Sequence, residues 1–406
     1  MIHQEDILII GAGPAGCAAA YDLAQAGRRV LLLDKRSFPR HKACACGLTR
    51  KTLAALRYSV EPVIERVCHE IVLQQAASNP AQREVRVRTR NPICAMAVRE
   101  RFDAFCLQQT LTAGKNGGSV TFRKIDGLST LRGFPDHIEL DVMTAPGSEA
   151  VETFRATALI GADGSNGQTR RLVSSLHQGQ ARAAEAQEPA WYTRGFALEA
   201  TVPYAQLPAT LPGGDAPHDL VFDFAPLPGG YGWLFPKGDH INIGVGAFAP
   251  DDGHGANLKQ VTRTLLAEYS GAKLGIRELT DITGQHLGMG GHGYIPHGRV
   301  LLAGDAAGLV DPLTGEGIHS ALVSGQAAAA AVLDDTADLT ASYAKHLRPL
   351  QETLAFSHRA ARAFYREPER GFRVMRTPIL RGLVLKTYAD GLPHTKLLSR
   401  LAKVVT

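Results

Sequence analysis

The residues of this 406-residue chain that can do chemistry gather in a few short stretches. The first is Gly11-Ala12-Gly13-Pro14-Ala15-Gly16, with Asp34 following 18 residues after its last glycine. Gly11 permits the tight turn out of a strand. Gly13 lets the backbone approach a pyrophosphate with no Cβ in the way, and Gly16 lets a helix lie close on the strand. The helix that starts here aims free N–H groups at the phosphates. Asp34 can accept the hydroxyls of an adenosine ribose, with Lys35 and Arg36 beside it as further cofactor contacts. A Gly-x-Gly-x-x-Gly run alone is weak evidence. Here strand, helix, strand and acid stand in the required order, so the stretch predicts dinucleotide binding.

Two further acids sit just past short apolar runs. Asp163 lies in Gly161-Ala162-Asp163-Gly164, ahead of Arg170-Arg171. Asp305 lies in Gly304-Asp305-Ala306-Ala307-Gly308, ahead of Pro312 and Gly315-Glu316-Gly317-Ile318. Each is also what an ordinary Asp-Gly turn looks like; their order relative to the first motif is what argues for a shared site. Cys44 and Cys46 form a Cys-x-Cys pair, read either as a redox-active or proton-donating group or as two small buried residues. Tyr231, Trp233 and Phe235 alternate and so share one face of a strand. That face is either plain core or an aromatic wall for a hydrophobic substrate. No metal is expected, because no second ligand pair has suitable spacing.

Placing these residues takes a definite set of elements. The apolar runs Ile7 to Ile10 and Val30 to Leu33 read as buried parallel strands, with an Ala-rich helix from Cys17 to Ala26 between them, stopped by Gly27. Ala158 to Ile160 and Val300 to Ala303 supply two more strands. Over 176–284 Pro and Gly become frequent, and Leu220 to Phe224 and Ile241 to Val245 alternate as antiparallel strands do. Residues 318–333 and 340–366 read as helices. The run from Gly288 to Gly293 repeats the glycine spacing, but no apolar strand leads into it and Tyr294-Ile295-Pro296 follows instead of a helix, so it reads as a loop. The expected fold class is α/β (α+β overall). A Rossmann-type domain (1–75, 97–175 and 285–335) is interrupted by an antiparallel-sheet substrate domain (76–96 and 176–284). A helical basic C-terminal region (336–406) follows.

Six Cys without a disulfide-framework spacing point to a reducing, cytoplasmic setting. No run approaches the ~18 apolar residues of a membrane span, and the acidic start lacks the basic region of a secretory signal. The net charge of +5 is uneven: residues 341–406 hold 13 Lys/Arg against four Asp/Glu. That tail reads as solvated helix faces, as a partner for the acidic body, or as a peripheral contact with the anionic inner face of a membrane. Few aromatics interleave with it, so nucleic acid is not an expected partner. A monomer or homodimer acting on a hydrophobic small molecule is expected.

With its three motifs in this order over residues 6 to about 335, the chain resembles the flavoproteins typified by p-hydroxybenzoate hydroxylase. The resemblance implies tightly bound FAD, with Asp305 on its ribityl chain. Gly315-x-Gly317 would open a helix whose N-terminus stabilises negative charge on the reduced ring. It also implies NAD(P)H as a transient reductant. Finer stretches are similar to the geranylgeranyl reductase family. Lys42-Ala43-Cys44-Ala45-Cys46-Gly47-Leu48 stands against its Lys-x-Cys-Gly-Gly-Gly-Leu. Arg99-Glu100-Arg101-Phe102-Asp103 matches its Arg-x-x-Phe-Asp, whose arginine lies against FAD. Tyr231 to Gly238 matches its Tyr-x-Trp-x-Phe-Pro segment, and Asn242 to Gly246 continues the match. Ala45 and Cys46 replace two glycines, so this loop, where Ala45 and Gly47 count as cofactor contacts, is expected to differ in shape and in the substrate it serves.

The resemblance thus implies an FAD-dependent oxidoreductase that uses NAD(P)H to reduce carbon–carbon double bonds of an isoprenoid or prenyl lipid. Such an alkene needs a proton on the carbon that does not take the hydride. Cys44, Cys46, Tyr231 and His41 are the candidate donors. One alternative is a monooxygenase or halogenase acting on a hydrophobic or aromatic substrate through a C4a-oxygenated flavin. Gly308, where the hydroxylases carry His, speaks against it. The other alternative is a non-catalytic flavin-binding protein.

Overall fold

The computed structural model describes residues 2–76, 83–145, 151–176, 179–212, 216–248 and 258–391. The last part of the expected C-terminal region, residues 392–406, lies outside the described residues.

Four apolar runs and one partner make a parallel sheet ordered Val300–Leu302, Ala158–Gly161, Ile7–Ile10, Arg29–Asp34 and Ser119–Lys124. Its inner strands are buried along nearly their whole length, as parallel strands covered on both faces must be. On one face lie the helices Pro14–Gln25 and Ile318–Leu333, packed on each other through alanines. The other face meets a five-stranded sheet that the sequence reading did not foresee: Ile2–Gln4, Val151–Ala156, Ile138–Met143, Gly127–Gly133 and Gln180–Arg182. Those strands bury one face and carry charged residues such as Arg132, Glu139 and Arg155 on the other, which hid them among loops.

A seven-stranded sheet forms the other half: Thr283–Met289, Thr193–Pro203, His240–Ala247, Gly230–Pro236, Leu220–Asp223, Glu70–Gln74 and Glu84–Arg88. Its pairs are antiparallel except Leu220–Asp223 with Glu70–Gln74. Glu70–Gln74 and most of Thr283–Met289 fall outside the span expected for this sheet. One expectation needs correction: a strand, Thr283–Met289, does lead into the second glycine run. It ends in a 3-10 turn at Gly291–Gly293 with no helix after it, so the run still makes no phosphate turn.

Residue alternation divides the seven-stranded sheet. One face carries Leu198, Ala200, Val202, Leu234, Ile241, Ile243 and Val245, closed by the helix Arg263–Leu274. The other carries Phe222, Tyr231, Trp233 and Phe235, covered by the C-terminal helices Pro368–Arg376 and Pro378–Asp390 through Phe372, Met375 and Leu385. A 28-residue helix, Leu339–Arg366, connects the core to this cover.

Candidate active site

Three of the sequence motifs meet at the carboxyl ends of the parallel strands, where open α/β sheets bind ligands. Gly11 follows Ile7–Ile10 with φ of 103°, and a Cβ there would lie 2.3 Å from the Ala162 carbonyl oxygen. A Cβ on Gly16 would lie 1.8 Å from the Gly11 oxygen. Both glycines are therefore required by the protein itself. Gly13 is not: the nearest atom to its missing Cβ is the Arg40 guanidinium, 3.7 Å away. The space is open, and the helix behind it has no side-chain cap. A glycine that packing does not demand, before an uncapped helix N-terminus and beside an arginine, fits a pyrophosphate. Ala12, Pro14 and Ala15 complete the turn.

Asp34 ends its strand as expected. Its carboxylate accepts from Ala12 N at 2.7 Å and Arg36 N at 2.8 Å, which fixes the acid against the turn. The side chains of Lys35 and Arg36 are exposed. Asp163 takes Gln168 N, Thr169 N and the Thr169 hydroxyl on one oxygen, while its buried Oδ1 has no protein partner. Burial pushes its pKa up. Gly164 turns the chain with φ of 77°. Arg170, fully buried, reaches from this turn to the Ala306 carbonyl and is held by Glu188. It thereby joins the Asp163 turn to the Gly304–Ala307 turn. Asp305 Oδ1 lies 3.3 Å from where a Gly317 Cβ would be, so the acid borders the start of the helix Ile318–Leu333.

The loop from Asp311 to Gly317 is held from several sides. Asp311 accepts from Leu313 N, Thr314 N and the Ser357 hydroxyl, and the Tyr365 hydroxyl donates to the Leu313 carbonyl. Glu316 accepts from Thr49 and Thr52 and pairs with Lys51 at 2.6 Å. Pro312 and Ile318 are buried at its ends. The Tyr231 hydroxyl donates to the Thr314 carbonyl. Its proton is thus committed to the loop, and burial pushes its pKa well up. As a proton donor Tyr231 is poorly placed; as a brace for Gly315, whose missing Cβ would sit 3.3 Å from the phenol oxygen, it is well placed.

The Cys44–Gly47 loop lies between this site and the seven-stranded sheet. Cys46 is buried with φ of 47°, so the residue that replaces a glycine keeps a glycine-like backbone at a cost of roughly 1–2 kcal/mol. Burial pushes its thiol well up. Gly47 starts the strand Gly47–Thr49, where a Cβ would lie a tight 3.0 Å from the Cys94 sulfur. Two groups missed in the sequence pin the loop. Glu199 Oε1 accepts from Cys44 N at 2.7 Å. The buried ammonium of Lys237 donates to the Ala45 carbonyl at 2.5 Å and the Ala97 carbonyl at 2.9 Å. Neither had a local signal, because each works on residues more than 100 positions away.

Arg99 is buried and forms a two-pronged pair with Asp103 at 2.9 and 2.7 Å, and Arg40 joins the same carboxylate at 3.1 Å. The charge of Arg99 is therefore spent on Asp103, and Arg40 is the arginine beside the glycine turn. His41 is exposed. Tyr231, Trp233 and Phe235 share one face as expected. Trp233 Nε1 donates to Asn242 Oδ1 at 2.7 Å, and the indole fills the space a Gly244 side chain would occupy. Glu65, Asp239 and His240 cluster elsewhere, but each is paired within the protein, Glu65 with Arg101 and Asp239 with His240.

Residues 4–190 match the family described as FAD binding domain. The chain is 28% identical over 332 residues to a geranylgeranyl diphosphate reductase of Rhodobacter capsulatus, covering 81% of this chain and 75% of that one. It is 29% identical over 380 residues to digeranylgeranylglycerophospholipid reductase 2 of Methanopyrus kandleri, covering 88% and 86%. A geranylgeranyl bacteriochlorophyll reductase-like protein from Thermoplasma acidophilum shares the fold over 100% of both chains, with a TM-score of 0.70 and 18% identity. A flavin-dependent brominase shares it with a TM-score of 0.68 and 17% identity, over 95% of this chain and 93% of that one.

Proposed function

We propose that this chain, an FAD-dependent oxidoreductase related to the geranylgeranyl reductases, uses NAD(P)H to saturate carbon–carbon double bonds of a prenyl lipid. The observation that carries the reading is the aromatic face of the seven-stranded sheet. Phe222, Tyr231, Trp233 and Phe235 form a buried apolar wall, and the same Tyr231 braces the loop at Gly315. Wall and loop are one construction, so a long apolar chain entering at the edge of the wall is led toward the residues that would hold the isoalloxazine ring.

FAD, when bound, supplies hydride transfer between a nicotinamide and an organic substrate. The turn at Gly11–Gly16, Arg40 and Asp34 would hold its adenosine pyrophosphate; Asp163, Asp305 and the helix start at Gly317 would hold the rest. The protein's own residues do three further things. The helices Pro368–Arg376 and Pro378–Asp390 cover the wall and exclude water. A cavity of about 260 Å³, lined by Phe224, Leu227, Pro228, Gly230 and Tyr365, opens at its edge and suits the entry of an apolar chain. Lys237 and Glu199 hold the Cys44–Gly47 loop against the same face.

The test is incubation of the FAD-loaded protein with NAD(P)H and geranylgeranyl diphosphate or a geranylgeranylated phospholipid, under argon and in air. Mass spectrometry is expected to show products gaining pairs of hydrogens in both. Oxygen incorporated from air, with no saturated product under argon, would instead establish a monooxygenase.

A further inference from the structure

We propose that Glu199 is the proton donor of this reaction, placed on the substrate face of the sheet and held under the Cys44–Gly47 loop. The proposal rests on the reductase reading above and names the acid that reading requires.

Strand register carries the argument. Glu199 pairs with Gly244, and Gly244 pairs with Trp233. Cross-strand partners project to the same side, so Glu199 shares the face of Tyr231, Trp233 and Phe235. Following the register across all seven strands, the residues on this face are aromatic, aliphatic, glycine or neutral polar, apart from His240 at a strand end and Glu199. Among the described strand residues Glu199 is the one carboxyl group there. It is buried, at 8% exposure. Cys44 N donates to one oxygen, and the Asn242 side chain, itself oriented by Trp233 Nε1, bonds the carboxyl as well.

Of the other candidates, Tyr231 gives its proton to Thr314, Cys46 is buried with its thiol pushed well up, and His41 is exposed. The Cys44 sulfur accepts from Cys46 N at 3.4 Å, inside its own loop. Burial raises the Glu199 carboxyl to about 7, and the charged groups that oppose this are Lys237, from the end of its strand, and Arg99, from the helix Arg99–Leu111. Cys44 lies over it from the loop. A carboxyl near neutrality keeps a proton available at working pH and still gives it up readily.

The step balances. NAD(P)H gives a hydride that ends on one alkene carbon, Glu199 gives its proton to the other, the π bond is lost and two C–H bonds form. Glu199 leaves as carboxylate and is reprotonated from solvent. Reprotonation favours lower pH, so turnover is expected to fall as pH rises through about 7.

The experiment uses the FAD-loaded wild-type protein and Glu199→Gln. A reduced-minus-oxidised infrared difference spectrum needs no substrate. It is expected to show a protonated-carboxyl band in the wild type near pH 7 that is absent from the variant. In turnover, Glu199→Gln is expected to lose about 100-fold or more in saturated product while bleaching by NAD(P)H falls far less. The same band in both proteins, or product formation by the variant within about threefold of wild type, overturns the proposal. If the glutamine variant loses FAD, Glu199→Asp, which keeps the acid, must retain the band and product formation; loss of the band there overturns the proposal too. If the wild type saturates no prenyl substrate, the reductase reading fails, while the infrared comparison still decides whether Glu199 exchanges a proton on reduction.

Discussion

The turn at Gly11–Gly16 and the loop at Cys44–Gly47 converge on the same cluster of Arg40, Arg99 and Asp103, yet they are built in opposite ways. The turn is made by its own backbone: one positive φ, one close helix approach, one open glycine and an acid a strand away. The loop has few such resources. Cys44 N is held by Glu199, 155 positions away, and the Ala45 carbonyl by Lys237, 192 positions away. A backbone-built site tolerates change around it and fails when its own glycines change. A loop held by distant side chains can carry residues other than glycine, as at Ala45 and Cys46, but fails when its remote holders are lost.

The largest test of this contrast is Gly13→Val. No protein atom lies closer than 3.7 Å to the missing Cβ, so the fold is expected to survive, with an unchanged circular dichroism spectrum. FAD affinity is expected to fall on the order of 100-fold, as for loss of one or two hydrogen bonds to a charged group. Flavin retained on gel filtration measures it, and full retention would mean that Gly13 faces no phosphate.

Lys237→Met breaks the loop from outside. It leaves the Ala45 and Ala97 carbonyls without their donor, at a cost of roughly 1–3 kcal/mol in stability. Hydrogen exchange is expected to quicken at residues 44–47 and not at 11–16. Equal quickening in both would erase the contrast.

Glu199→Gln sharpens it through pH. The folded carboxyl sits at about 7, above its unfolded value, so the folded state keeps a proton the unfolded state has released. That contribution is fully present below about pH 4.3, the usual carboxylate value, and is lost as pH rises through 7. The difference is on the order of 4 kcal/mol. Melting temperature against pH is expected to decline over this window in the wild type and to be flatter in the variant.

The smallest effect belongs to Arg50→Ala. Its half-exposed pair with Asp390 latches the helix Pro378–Asp390 to the helix Arg50–Ala55, which also carries Lys51 and Thr52 onto Glu316. An exposed pair is worth about 1 kcal/mol or less. Global stability should scarcely move, while exchange at 378–390 rises.

Much of the first half of this contrast was legible in the sequence. The four apolar strand runs, the helices at 318–333 and 340–366, and the aromatic alternation at 231–235 all follow from local pattern. The second five-stranded sheet was not, because its half-exposed strands alternate with Arg and Glu that pair across them, as Arg155 does with Glu139. Tyr231 read as a residue of an aromatic face and as one of four candidate donors; the bond that commits its hydroxyl was not legible, since only the fold brings the Thr314 carbonyl to it.

The sequence by itself determined the glycine turn, because every requirement there is a φ angle or a missing Cβ within a span of about 30 residues that one βαβ unit supplies. Only the tertiary structure decided which acid lies on the aromatic face and what holds the loop beside it. Those depend on strand register and burial, which set the direction of Glu199 and its proton affinity, and neither is a property of any short stretch of chain.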